Sequence, residues 1–514
     1  MILEKNAARR ADARRKPART TTEAVAAPTF KSGADSVQGR QVEGDTMGNS
    51  SKSARNRSRA VGRRAWAAAY TVVLGLGFAQ SHPTVAQAAR DPGLRLGAAA
   101  AGGPIAGLSS DESLFFDLGL AQFLTSQYLA DGLGPRFNLD SCGGCHAQPA
   151  AGGSSPATNP QPTTGVAFGA KNVIPSFVTA NGPIVEARFK TLPNGRPDGQ
   201  VHPLFVITGR NDGTANASGC TAVQEDFNTQ YAKGNVALRI PTPTFGAGLI
   251  ESISDSAIVA NLAANGAVKS ELGIGGHPNV SPNTGNVTRF GWKAQNPSLL
   301  VFGGEAYLNE IGISNELFPN ERDDNPTCQF SPVPNDFTTV DAFEGIPAPL
   351  AVSDAQRFTL FMEFTAPPTP STDTPGGATS ITRGQTNFDA VGCGLCHTPT
   401  LTTQPSNTVP ALSNVAANLY SDLALHQMGP KLADGIAQGA AAGDEFRTAP
   451  LWGLGQRIFF LHDGRTKDLL DSIAAHASPA GSGYGPSEAN QVIQNFNNLS
   501  DSQKQDLLNF LRSL

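Results

Sequence analysis

The sequence predicts a mainly α fold with extensive irregular loops, organised as two related modules. Three observations carry that expectation. A five-residue motif occurs twice, Cys142-Gly-Gly-Cys145-His146 and Cys393-Gly-Leu-Cys396-His397, 251 residues apart. Apolar residues recur at helical spacing in Ser110–Leu129, Asp354–Phe364 and the closing segment, where Ser500 caps a helix carrying Leu507, Leu508, Phe510 and Leu511. The composition, with 55 Gly and 37 Pro in 514 residues and only 16% charged residues, suits long ordered loops better than a helical bundle or a disordered chain.

Residues 1–88 read as a leader and signal peptide. A basic, Ala- and Ser-rich stretch runs to Arg63-Arg64, an apolar run follows from Ala65 to Phe78, and Ala86-Gln87-Ala88 forms an A-x-A cleavage site. The apolar run is too short to span a membrane, so no membrane span is expected in the mature protein. Met47 is a better start for such a leader than Met1, and Arg63-Arg64 also invites a twin-arginine reading. The expected location is periplasmic or secreted. The leader holds 15 of the 38 Lys and Arg and 6 of the 43 Asp and Glu, which leaves residues 89–514 with 23 − 37 = −14. That charge speaks against nucleic acid or an anionic membrane surface as partner. A small basic periplasmic electron donor or an uncharged substrate fits better.

Ser110 is expected to cap the first helix, with Asp111 and Glu112 in its first turn. The Pro-, Thr- and Gly-rich stretch 366–380 reads as a linker, dividing the chain into an N-terminal module over 89–365 and a C-terminal one over 381–514. Thr288–Gly312 and Phe460–His476 each read as an aromatic turn followed by a helical run, a weak internal repeat. Strand signals are short and isolated, at Leu204–Thr208 and Ala237–Ile240.

The chemistry of C-x-x-C-H explains its spacing. Two thiols add to the two vinyl groups of a haem, and the adjoining His reaches the iron. Two covalently bound haem c groups are therefore expected, on Cys142, Cys145 and His146 and on Cys393, Cys396 and His397. A zinc site would need further Cys or His nearby, and neither motif has them. The remaining cysteines, Cys220 and Cys328, are expected to pair in an oxidising compartment, against two buried thiols. A haem with six ligands transfers electrons, whereas an open one binds peroxide or O₂. The side chains that could complete the ligand sets are His202, His277, His426, His462, His476, Met362 and Met428.

The segments "PRFNLDSCGGCHAQPAAGG", "FGAGLIES", "RFGWKAQ", "NELFPNERDD", "DLALHQMGPKLADG", "EFRTAPLWGLG" and "FFLHDGRTKDLLDSIAAH" resemble the di-haem oxidoreductase family, also called thiol oxidoreductases and related to bacterial di-haem cytochrome c peroxidases. The likeness runs over nearly the whole of 89–514 and implies two cytochrome c-like haem domains. It places His476 as the sixth ligand of the C-terminal haem, with Met428 as the fallback, and makes His426 and His462 neighbours of that haem. Ala147–Ile174 contains no His where the peroxidases keep a distal ligand, which implies an open N-terminal haem. Glu310, in "YLNEIG", falls where those relatives carry a distal acid/base, with Glu251 the second candidate. Trp292 falls between the haems, as an electron stepping stone or as core packing. The family also implies a calcium ion between the domains, although no ligand motif for one stands out. The name thiol oxidoreductase finds no support in the residues, since no C-x-x-C lies outside the haem motifs. The expected function is a peroxidase-like oxidoreductase reducing peroxide at the N-terminal haem with electrons from the C-terminal one. The alternatives are an oxygenase resembling rubber oxygenases, using O₂ on a small organic substrate, and a plain electron carrier.

Overall fold

Helices that lie next to each C-x-x-C-H motif pack across partners far along the chain. The structure, a computed structural model, describes residues 88–338, 351–406 and 408–514, all within the unit His82–Leu514. The expected signal peptide lies outside the described residues apart from its last position. In chain order the helices that position the site are α1 (Ser110–Leu124), α2 (Cys142–Cys145), α3 (Leu299–Ala306), α4 (Asp354–Phe364), α5 (Gly377–Val391), α6 (Leu469–Ala475) and α7 (Asp501–Ser513).

The cap of α1 is Ser109, not Ser110. Its hydroxyl accepts from the Glu112 N–H while the Glu112 carboxylate accepts from the Ser109 N–H, a reciprocal arrangement open only to a residue three places before a Glu. The helix also stops at Leu124, because Thr125 turns extended, and Leu129 belongs to a separate short 3₁₀ turn. Helix α7 starts at Ser500 with the same capping box, and its apolar face is buried as expected.

Two close helix crossings organise the core. Helix α1 meets α4 at Gly119, where a Cβ would overlap the Arg357 carbonyl oxygen and lie 2.9 Å from the Phe361 Cβ. Helix α5 meets α7 at Gly384, where a Cβ would overlap the Asp506 carbonyl oxygen and lie 2.7 Å from the Phe510 Cβ. Both crossings need a residue without a side chain. Gly384→Ala should therefore force α5 from α7 and cost about 1–3 kcal/mol, the usual range for an overpacked core. Thermal unfolding of the haem-loaded protein measures this, and an unchanged Tm would mean that the helices do not meet at that point.

The class is mixed α/β, 34% helical with small sheets, rather than mainly α. Strand β1 (Glu186–Phe189) lies between β2 (Val201–His202) and β3 (Val236–Arg239), antiparallel to both, with Glu186 opposite Arg239. Strands β4 (Leu425–Gln427) and β5 (Glu445–Arg447) form an antiparallel pair that sets His426 opposite Phe446. Leu204–Thr208 contributes only Phe205–Val206 to a strand, and Ala237–Ile240 falls within one residue of β3. Strands of two to four residues are too short to show the alternation that marks a strand in sequence, so the sheet content was underestimated.

The largest apolar cluster joins α1 and α4 to Phe137, Phe205 and Ile313, and takes in Leu412, Leu419, Trp452 and Phe459 from beyond the second motif. A second cluster gathers α5, α6 and α7. Of the stretch 366–380, Gly377–Ser380 form the first turn of α5. Cys220 and Cys328 are joined in a disulfide, so the pairing is present rather than two buried thiols. No described helix is long and apolar enough to cross a membrane.

Candidate functional site

The first cavity forms around α2, a single turn. The Ser141 hydroxyl caps it by accepting from the Gly144 N–H at 3.2 Å, which presents Cys142 and Cys145 on a short helical arc. A Cβ at Gly143 would come within 2.6 Å of Leu124, and one at Gly144 would collide with Leu139, so the two intervening positions must be small. The turn ends at His146, whose Nδ1–H donates to the Gly153 carbonyl at 2.9 Å. That bond places the proton on Nδ1 and the lone pair on Nε2, the state in which an imidazole binds metal, with the Thr242 backbone also beside the ring. The cavity has about 1120 Å³ of empty volume, with a largely apolar wall that includes Phe123, Ile184, Phe302, Phe358 and Met362.

One end of this cavity is polar. A π turn over Tyr307–Ile311 extends α3 and turns Glu310 toward it, a helix irregularity frequent at functional sites. The Asn138 amide donates to the Glu310 carboxyl at 2.6 Å, and Asn138 is itself fixed by accepting from the Leu204 N–H at 2.7 Å. The second partner of Glu310 is Glu186. Burial and the Glu186 charge push Glu310 well above the ordinary carboxylate range. Glu186 moves the other way: burial opposes its charge, but Arg188, which donates to it at 2.6 Å, holds it ionised. Two hydrogen-bonded carboxyls with diverging pKa values amount to one proton held on Glu310 and one charge held on Glu186. Glu186 and Arg188 share a face of β1, two residues apart. Neither is marked in the sequence, because their link to Glu310 comes from pairing of a remote strand.

The second cavity, with about 1410 Å³ of empty volume, is lined by Cys393, Cys396, His397 and His476 among mainly apolar neighbours. Gly392, at φ +102°, ends α5 and turns the chain into the motif, a conformation that favours glycine. The His397 Nδ1–H donates to the Tyr420 carbonyl at 3.0 Å, and the His476 Nδ1–H to the Ser472 carbonyl at 2.8 Å. Both imidazoles therefore present a free Nε2 to the same space. Burial, together with the facing His476, lowers His397 to about 4, and burial also lowers His476.

Three other histidines lack that pattern. His202 is held by Glu225 at 2.7 Å and Asp198 at 2.9 Å, and His277 by Glu445 at 2.9 Å and the Pro278 carbonyl at 3.1 Å. His426 is gripped by Glu488 at 2.7 Å and Asp422 at 2.9 Å while lining the second cavity. With both ring nitrogens occupied, none of the three has a lone pair to offer. His462 stacks on Phe446 with ring centroids 4.3 Å apart, and burial lowers it to about 4. Met428 lines the second cavity and Met362 the first. Trp292 lines both, its indole N–H donating to the Ile240 carbonyl at 2.8 Å. Glu251 lines neither and instead accepts from the Leu299 N–H at 2.8 Å, at the start of α3.

The model of a protein family described as "Di-haem oxidoreductase, putative peroxidase" matches residues 186–514. Among solved structures, one chain of Kuenenia stuttgartiensis hydrazine synthase, pressurised with xenon, matches over 31% of this chain and 55% of its own length, at 16% identity and a TM-score of 0.20. No curated protein sequence matches.

Proposed function

The chain belongs to the di-haem oxidoreductase family, and on that footing we propose that it reduces peroxide in the first cavity with electrons received at the second. The observation that carries the reading is the pair of carboxyls at the polar end of the first cavity, Glu310 held by the Asn138 amide and Glu186 by Arg188. The donor chemistry of both cavities suits a covalently held haem: two thiols from one turn of chain and an imidazole whose Nε2 is free. Cys142, Cys145 and His146 would hold the first, and Cys393, Cys396, His397 and His476 the second, in two cytochrome c-like domains. The repeated glycine crossing of helices supports that duplication. Haem iron, when bound, would supply one-electron redox chemistry and a place for a small oxidant to bind.

The residues of the chain supply the rest. His476 closes the second cavity to exogenous ligands and suits it to electron transfer. Among the described residues His146 is the only histidine lining the first cavity, which leaves room opposite it. There, Glu310 delivers its proton to the outer peroxide oxygen, and the Glu186 carboxylate takes one from the inner oxygen. Each peroxide consumes two electrons and two protons and yields two waters. Trp292, lining both cavities, positions an aromatic ring between donor and acceptor. The net charge of −14 over residues 89–514 and the disulfide suit a basic donor protein in the periplasm. The cluster of metal-binding geometry found among the described residues, Cys396–Asp422–His426, mixes a thiol and an imidazole with one carboxylate, whereas calcium prefers oxygen ligands.

The test uses the mature protein matured in a periplasm. Two haems per chain should survive acid–acetone extraction, one should survive in the Cys142→Ser, Cys145→Ser variant, and the protein should turn over hydrogen peroxide with a small reduced donor. Loss of haem on extraction overturns the attachment. A protein inert to peroxide that consumes O₂ while cleaving an unsaturated hydrocarbon would instead be an oxygenase, a role that the apolar wall of the first cavity could serve.

A further inference from the structure

Two buried arginines face the second cavity without an ion-pair partner among the described residues, and the one carboxylate whose charge reaches either of them is Asp422, toward Arg447. Arg447 and Arg457 are 8% and 9% exposed, and neither is in ion-pair contact with a carboxylate among the described residues. Arg447 donates through Nε to the Gly291 carbonyl at 3.0 Å, and its Nη1 has no partner. The guanidinium of Arg457 makes no hydrogen bond among the described residues. Burial lowers both to about 10, and for Arg447 the neighbouring Arg457 charge adds to that. Three other buried arginines are matched by a carboxylate, Arg239 by Asp434, Arg188 by Glu186 and Arg512 by Asp91, while the buried Lys269 and Arg95 donate to backbone carbonyls. An unmatched buried pair is costly unless something anionic joins it.

The place of the pair says what that anion is. Both side chains line the second cavity and a smaller adjoining void beside Trp292, and neither lines the first cavity. Haem carries two propionate carboxylates on its rim, and leaving them in an apolar cavity would be as costly as leaving the arginines bare. We infer that Arg447 and Arg457 bind the propionate carboxylates of the C-terminal haem and hold its reduction potential up. This rests on the two-haem reading above. A guanidinium offers a planar fork of donors suited to a carboxylate. Removing it leaves a propionate charge uncompensated, which favours the oxidised iron and lowers the potential.

Redox titration of the haem-loaded protein, with haem counted per chain, tests this. Arg457→Met should keep two haems while its C-terminal haem shifts at least tenfold in its reduction equilibrium, 59 mV downward for a one-electron couple. Arg457→Lys, which keeps the charge, should shift less. Arg383→Met, which removes an exposed arginine paired with Asp506, should shift nothing. An Arg457→Met protein with both haems and an unchanged potential overturns the inference and leaves the two-haem reading intact. Failure of even Arg457→Lys to hold both haems also overturns it, assigning the arginine to folding. A wild type with fewer than two haems contradicts the underlying reading instead.

Discussion

Glu310→Gln is expected to slow peroxide turnover by about 10²–10⁴-fold, the usual contribution of a positioned acid/base, while leaving the haem content and both haem spectra unchanged. The substitution keeps the shape of the side chain and its bond to Asn138 but removes the proton that Glu310 delivers. Because burial and the Glu186 charge hold Glu310 protonated, the wild-type rate should stay level through neutral pH and fall only as the solution becomes alkaline enough to ionise it. Glu186, lowered by Arg188, loses its charge only below the ordinary carboxylate range, so the acid limb should lie low. Glu186→Gln is a poorer probe, since it strands Arg188 in the interior, and breaking a buried pair typically costs about 3–5 kcal/mol. An unchanged rate in Glu310→Gln would remove the carboxyl from the chemistry. Glu251 could not replace it, because it lies outside both cavities and is tied to the backbone of α3.

His476→Gly should convert one of the two haems from low-spin to high-spin, and added imidazole should restore the low-spin form. Among the described residues His476 is the only other histidine lining the second cavity whose Nδ1 is tied to a backbone carbonyl, as that of His397 is, and whose Nε2 is thereby left free. His426 cannot take its place with both nitrogens bonded to carboxylates. Met428→Leu should leave ligation unchanged. If Met428→Leu produces the high-spin form and His476→Gly does not, the second axial ligand is the methionine.

The attachment motifs were legible because covalent chemistry fixes their spacing, and α4 and α7 were legible because each carries its cap and its apolar face locally. His476 and Glu310 were reached by resemblance alone. A lone His or Glu on a helix carries no local mark of its role, and the mark here is a tautomer-fixing bond to a carbonyl for one and a π turn for the other. Glu186 and Arg188 stayed hidden in a four-residue strand whose meaning depends on where Glu310 folds back to meet it. Arg447 and Arg457 stayed hidden for a related reason, since a cation without a partner can be recognised only once the fold shows what surrounds it. The misplaced cap of α1 shows the same limit at small scale: Ser109 and Ser110 are equivalent in composition, and only the distance to Glu112 separates them.

Peroxide reduction as proposed requires an unequal pair of sites, one closed by a second histidine and one open beside a protonated carboxyl. Electron paramagnetic resonance of the resting oxidised protein measures this directly. One low-spin signal of bis-histidine character and one high-spin signal, in equal amounts, is the predicted result. Two low-spin signals would mean that a second protein ligand, with Met362 the thioether at hand, closes the first cavity, and the protein would then be an electron carrier rather than a peroxidase.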